Sequence, residues 1–301
     1  MTGETTPTPA AQPTPFGVRL RAAMDERGPL CAGLDPHRGL VEGWGLPYSL
    51  SGLERFTMTC VEAFGGHVAV VKPQSAFFEV FGSAGIALLE RAIRGLREAG
   101  TLVLLDAKRG DIGSTMAAYA QAYLGDDSPI VADAVTVSPY LGYGSLRPAL
   151  DLAQQTGRGV FVLALTSNPE GPQVQHAVRD GLSVAGSVVD GAAADNAEAV
   201  AAGELGHVGL VIGATVGPAV DQLGLDLVAA GTPVLAPGLG AQGGSLQSLR
   251  AVFGSALPQV LASSSREVLS AGPDLRALRA SAVGTAHLLR DLSEQRESPS
   301  G

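Results

Sequence analysis

Two residues stand out by type. The chain of 301 residues carries 20 lysines and arginines, and only Lys72 and Lys108 among them are lysine. A chain that uses arginine everywhere else has a reason to keep lysine twice. An ammonium is compact and can give up a proton at accessible pH, which a guanidinium cannot. Lys108 sits in the stretch LLDAKRGDI (104–112), between Asp106 and Asp111 and directly after the apolar run Leu102, Val103, Leu104, Leu105. Alternate residues of a strand face the same way, so Leu102, Leu104, Asp106 and Lys108 share one face. The leucines then fill an interior and the two charges stand at its mouth. Asp35, Asp106 and Asp111 are candidate neighbours of Lys108, with Lys72 two strand ends away. Such alternation offsets the desolvation of each charge and keeps the ammonium protonated. A positioned ammonium is a general acid able to protonate a developing carbanion, and Asp106 would repel an anionic group held against it. A solvated salt-bridge network at a strand end is the plainer alternative for Asp106 and Lys108 taken alone.

Two further segments suit a phosphate. APGLGAQGG (236–244) follows one apolar run, and SSSRE (263–267) follows the next. Gly243 and Gly244 permit close backbone approach, backbone N–H groups near a helix start can face an anion, and Arg266 can pair with phosphate through its fork.

The elements that must hold these residues are readable as apolar, β-rich runs at 30–35, 68–74, 101–108, 134–139, 159–166, 207–214, 233–238 and 258–264, separated by helical stretches such as 84–99. In that helix Leu88, Leu89, Ala92, Ile93 and Leu96 share a face. Near-continuous apolar strands alternating with helices predict a parallel sheet buried on both sides. Eight such units predict a single-domain α/β (β/α)₈ TIM barrel, with an open doubly wound sheet as the second arrangement. The expected domain is 15–293, between an N-terminal tail (1–14) and a C-terminal tail (294–301) that fray. Segment 181–205 is longer than one crossover helix needs and can hold two helices or a helix and a loop. In a barrel the strand ends form the site. Read that way they offer Asp35, Lys72, Asp106 with Lys108, Ser138, Thr166 with Ser167, Thr215, Gly238 and Ser264. Loops after the seventh and eighth strands, where the two Gly/Ser segments fall, are frequent phosphate sites.

Composition excludes several classes. Hydrophobic residues form 46% of the chain and charged ones 16%, ample for a large core. No run approaches a membrane span, and the Pro/Thr-rich start lacks the basic and apolar regions of a signal peptide. A net charge of −9 argues against nucleic acid or anionic membrane as partners. Cys31 and Cys60 give neither a disulfide framework nor ligand spacing and read as buried residues in a reducing cytoplasm. The five histidines show no metal-binding spacing. Trp44 reads as a packing residue, Tyr140 and Tyr143 as rim residues, and Arg109 as a surface or interface charge.

LLDAKRGDIG resembles the Asp-x-Lys-x-x-Asp-Ile signature of the orotidine 5'-phosphate decarboxylase family. LCAGLDP (30–36), VKPQSAFFE (71–79), LTSNPEG (165–171), APGLGAQGG and SSSRE resemble that family's longer bacterial branch, in consistent order from about residue 15 to 290. The resemblance implies conversion of orotidine 5'-phosphate to UMP and carbon dioxide in pyrimidine biosynthesis, without metal or organic cofactor. It implies that Lys108 protonates C6 and that Asp106 lies against the departing carboxylate, forming a tetrad with Lys72 and Asp111. It also implies a homodimer in which Asp111 and Thr115 reach the neighbour's site. Asp35 and Lys72 resemble ribose contacts, Ser167 the reader of the pyrimidine edge, and Gln242, Gly243 and Arg266 the phosphate grip, with loop 236–244 as a lid. Related barrels with the same short motif are metal-dependent sugar-phosphate decarboxylases or lyases with an acidic ligand after the second strand, where this chain has Lys72. Two further functions compete with these: a Schiff-base aldolase using Lys72 or Lys108, and a catalytically silent sensor of nucleotide phosphates.

Overall fold

A computed structural model of the protein describes residues 13–240 and 243–294. The eight apolar runs all become strands: β1 (Leu30–Leu34), β2 (Val70–Pro73), β3 (Leu102–Arg109), β4 (Ala134–Val137), β5 (Gly159–Leu165), β8 (Val208–Ile212), β9 (Val234–Pro237) and β10 (Val260–Ser264), with two short strands, β6 (Val178–Arg179) and β7 (Leu182–Ser183), between the fifth and sixth. Every residue of β1, β2, β4, β8 and β10 is buried, as strands covered on both faces must be. All eight neighbours pair in parallel, and β1 hydrogen-bonds both β2 and β10, so the sheet closes. The order β1-β10-β9-β8-β5-β4-β3-β2 with helices between strands is the (β/α)₈ barrel that the periodicity predicted, and not an open sheet.

The helices form the outer ring. Helix Gly82–Glu98 buries Leu88, Leu89, Ala92, Ile93 and Leu96, the face expected from their spacing. Segment 181–205 turns out to be mostly one continuous helix, Val184–Ala201. The Ser183 hydroxyl accepts the Gly186 N–H at 2.9 Å and caps it. Before it, β6 and β7 form an antiparallel hairpin outside the barrel, turned by Asp180 and Gly181, both at positive φ (54° and 84°).

Side chains pointing inward make a separate core. Cys31, Val70, Leu104, Ala134, Phe161, Val211, Leu235 and Leu261 fill the barrel's lower part. Helix Phe16–Arg27 closes its floor with Phe16, Leu20, Ala23 and Met24. Phe16 and Phe161 meet edge to face at 6.0 Å. A Cβ on Gly159 would lie 2.5 Å from the Phe16 ring and one on Gly209 2.5 Å from the Phe161 ring, so both rings occupy space that only glycine leaves. With the floor sealed, the upper part of the barrel is what remains for polar residues.

Candidate active site

Asp106 is the centre of the mouth. It is 6% exposed and each of its carboxylate oxygens accepts two hydrogen bonds. Oδ1 takes the Lys108 ammonium at 2.6 Å and the Thr136 hydroxyl at 2.8 Å; Oδ2 takes the Lys72 ammonium at 3.1 Å and the Gln74 amide at 2.8 Å. A carboxylate has about four lone-pair sites, so this one is saturated and cannot rotate without breaking bonds. Burial alone would raise the Asp106 pKa, but Lys72, Lys108 and the hydroxyl of Thr136 outweigh it and hold the carboxyl down to about 2. For Lys72, burial favours the neutral amine, yet Asp35 at 3.8 Å and Asp106 push its pKa above the ordinary value. Both groups are therefore charged at neutral pH.

Lys72 is closer than the sequence suggested, because β2 pairs directly with β3. It is Lys72, not Lys108, that lies between Asp35 and Asp106. Among the described residues Lys108 pairs with Asp106 alone, and its side chain is 45% exposed toward the mouth. Its backbone is unusual, with φ at 47°. A non-glycine residue in that region is strained by roughly 1–2 kcal/mol. Alternation held for Leu104 and Asp106, whereas Lys108 reaches the mouth through a register shift between Leu105 and Arg109 in the β3–β4 pairing.

These groups open into a cavity of about 600 Å³ walled by the strand ends. Asp35, Lys72, Asp106, Lys108 and Arg266 line it, as expected; Thr136, Gln74, His37, Phe77 and Ser265 line it as well, beyond what the sequence pointed to. Thr136 had a readable signal, a hydroxyl on the same strand face as Ala134, flanked by valines. Asp35 Oδ1 and Ser265 Oγ are buried there without a hydrogen-bond partner among the described residues, two polar atoms able to bind a ligand's hydroxyl or phosphate. At the end of β10, Ser263 faces the cavity and Ser264 does not. Arg266 is exposed at the cavity edge, opening a short helix, Arg266–Leu269.

The other expected residues divide between the cavity wall and positions further off. Thr166 lines the cavity while Ser167 beside it is exposed. Gly243 sits at φ 86° with its N–H donated to the Gly240 carbonyl at 2.8 Å, and Gly238 and Leu239 line the cavity in its place. Gln242 lies outside the described residues, as do most of the two tails. Asp111 accepts the Ile112 N–H at 2.8 Å and has no ion pair among the described residues; Thr115 is exposed. Neither enters its own chain's cavity. Trp44 packs on Phe56 at 4.1 Å, as expected. Tyr143 is a correction: its hydroxyl donates to Asp195 at 2.6 Å, away from the rim. Arg109 pairs with Glu79 at 2.6 Å and bonds the Tyr123 hydroxyl, tying the end of β3 to its neighbours. Cys31 and Cys60 are buried thiols, and burial pushes Cys31 up to about 12. Among the described residues no group of three or more His, Cys, Asp or Glu is placed to hold a metal ion.

Closed barrel and charged mouth define the class: a (β/α)₈ barrel with paired charges gathered at the strand ends, where barrels of this architecture carry their active sites. Comparison with known proteins narrows it. A protein of Salinispora tropica named orotidine 5'-phosphate decarboxylase is 62% identical over 268 residues, 89% of this chain and 94% of its own. One of the same name from Streptomyces coelicolor is 59% identical over 271 residues, with 89% and 94% covered. A crystal structure from Streptomyces avermitilis, provisionally given that name, superposes with a TM-score of 0.89 at 55% identity, covering 96% of this chain and 99% of that one. The chain belongs to the orotidine 5'-phosphate decarboxylase / HUMPS family, whose model matches residues 28–280.

Proposed function

We propose that the chain decarboxylates orotidine 5'-phosphate to UMP and carbon dioxide, with Lys108 as the proton donor and residues 15–293 as the catalytic domain. The observation that carries this reading is Asp106, a saturated carboxylate held ionised between two ammonium groups at the edge of a cavity. A substrate carboxylate placed against it is repelled. As the C6–carboxylate bond breaks, that repulsion is relieved and the electron pair left on C6 meets the Lys108 ammonium. The ammonium proton passes to C6, and the amine recovers a proton from water. Interactions that strengthen only toward the transition state are those that raise the rate.

The remaining roles follow from placement and chemistry. Asp35, whose Oδ1 lies 3.8 Å from the Lys72 ammonium and accepts no hydrogen bond among the described residues, accepts a ribose hydroxyl. Arg266 forks onto the phosphate, joined by Gln242 and Gly243 when the loop after β9 closes. Ser167 comes to the pyrimidine edge with the loop after β5. Phosphate contacts distant from C6 supply binding energy that closes these loops and excludes water. The metal-dependent alternative is disfavoured by Lys72, whose buried ammonium occupies one oxygen of Asp106 and repels a cation. Reaction and site call for no cofactor. The setting we propose is the cytoplasm; among the described residues no helix is long and apolar enough to cross a membrane.

We also propose a homodimer with a shared site, Asp111 and Thr115 completing the neighbour's array. Exposed Ile112, Tyr140 and Leu141 near these residues support an interface. The direct test is loss of orotidylate absorbance with chelator-treated protein; absence of turnover overturns the reading. The shared site is tested by mixing inactive Lys108→Ala and Asp111→Ala proteins. After subunit exchange one site per mixed dimer is intact, so roughly a quarter of wild-type activity returns. Verified exchange without recovery sinks the dimeric site while leaving the reaction standing.

A further inference from the structure

We propose that Thr136 is the positioning residue that aims the Lys108 ammonium, an inference that rests on the decarboxylase reading above. Between the pairings Leu105–Val135 and Arg109–Val137, β3 advances four residues while β4 advances two. The additional residues form a bulge that contains Lys108. The N–H groups of Ala107 and Lys108 in this bulge both donate to Thr136 Oγ1, at 3.0 and 2.9 Å. A hydroxyl oxygen has two lone pairs, and these two amides take both. Its one proton is thereby directed, and it goes to Asp106 Oδ1 at 2.8 Å.

A single side chain thus holds both ends of the proton donor's setting. It fixes the left-handed backbone from which the Lys108 side chain departs, and the oxygen to which the ammonium returns at 2.6 Å. Thr136 is 1% exposed in the cavity wall and acts through these partners. Glycine is the usual answer to a positive φ. Here the chain needs a side chain at 108, and the bulge is held from the adjacent strand instead.

The test compares Thr136→Val, which keeps the shape and removes the hydroxyl, with Thr136→Ser, which restores it. Wild type is assayed beside them. Thr136→Val is expected to lower kcat by about 100-fold while KM for orotidylate changes less than about threefold, because the ammonium is displaced and the binding groups are not. Thr136→Ser is expected within about threefold of wild type in kcat. A Thr136→Val protein with wild-type kcat overturns the inference. An inactive wild type overturns the decarboxylase reading instead. In that case a crystal structure of Thr136→Val decides the positioning role: it fails if Lys108 keeps its positive φ and its bond to Asp106. If Thr136→Val does not fold, Thr136→Cys, a weak donor and acceptor, replaces it, and activity equal to that of Thr136→Ser is the overturning result.

Discussion

Asp106 and Asp133 are the two buried aspartates among the described residues, 6% and 5% exposed, at opposite ends of neighbouring strands. Each is paired with two cations and accepts further hydrogen bonds. At the floor, Asp133 takes Arg19 at 2.7 Å, Arg97 at 3.6 Å and the Val103 N–H at 3.0 Å. Those arginines are partly exposed and arrive from the floor helix and from helix Gly82–Glu98, so the cluster fastens helices to the start of β3. At the mouth, Asp106 takes the chain's two lysines, one of them buried. Burial and ion pairing are alike in the two places. What differs is the cation's ability to release a proton, the cavity beside it, and the strained backbone that presents it. Those three features, and not a buried charge as such, single out the mouth for the proposed chemistry.

The largest expected effect separates charge from proton. Lys108→Ala and Lys108→Arg should each lower turnover by about 1,000-fold or more, while the melting temperature moves little, since Lys108 is half-exposed. Arginine keeps the positive charge beside Asp106 but does not give up its proton. A Lys108→Arg enzyme retaining a tenth of the activity would remove the proton-donor role and make the two aspartates alike. The floor predicts the reverse pattern. Asp133→Asn should cost about 3 kcal/mol of stability in denaturant titration, because Arg19 and Arg97 lose their partner. Its kcat should stay near wild type at temperatures where the protein is folded. A tenfold loss of kcat at unchanged stability would erase the distinction.

Much of this contrast was legible in the sequence, and the reasons differ by element. The strands were readable because both faces are apolar, and the lysine pair because the composition is otherwise all arginine. The floor was not: Phe16 and Phe161 meet across 145 positions, a contact that local periodicity does not encode. The bulge escaped because strict alternation gave Lys108 the correct face for an incomplete reason; two inserted residues and a positive φ bring it there. Thr136 stood out as a hydroxyl in an apolar strand and Gln74 follows the end of β2, but both take on a role only once their shared partner Asp106 is placed. Thr166 and Ser167 are adjacent, so spacing could not say which faces the cavity. Asp111 was legible as part of a motif, but its own chain gives it no ionic partner among the described residues, and its proposed role in a second subunit came from the resemblance and not from spacing.

The smallest effect concerns acid. The folded protein holds the Asp106 carboxyl at about 2, against an ordinary 3.8, so the unfolded chain binds this proton more readily than the folded one. The stability it contributes is complete above that ordinary value and is lost as pH falls through about 2. Lys72, raised above its ordinary 10.5, contributes fully below 10.5 and loses its share as pH rises through its folded value, so it is silent in acid. A shift of under two pH units at Asp106 corresponds to at most about 3 kcal/mol. Asp106→Asn should therefore be less stable than wild type at about pH 5, because Lys72 and Lys108 lose their counter-charge, and the gap should narrow by about 1 kcal/mol at about pH 3. Asp133→Asn, measured alongside, reports the floor's share of the acid response. If the Asp106→Asn gap stays constant or widens in acid, the carboxylate is not held ionised by its two lysines, and the electrostatic distinction between mouth and floor fails at its source.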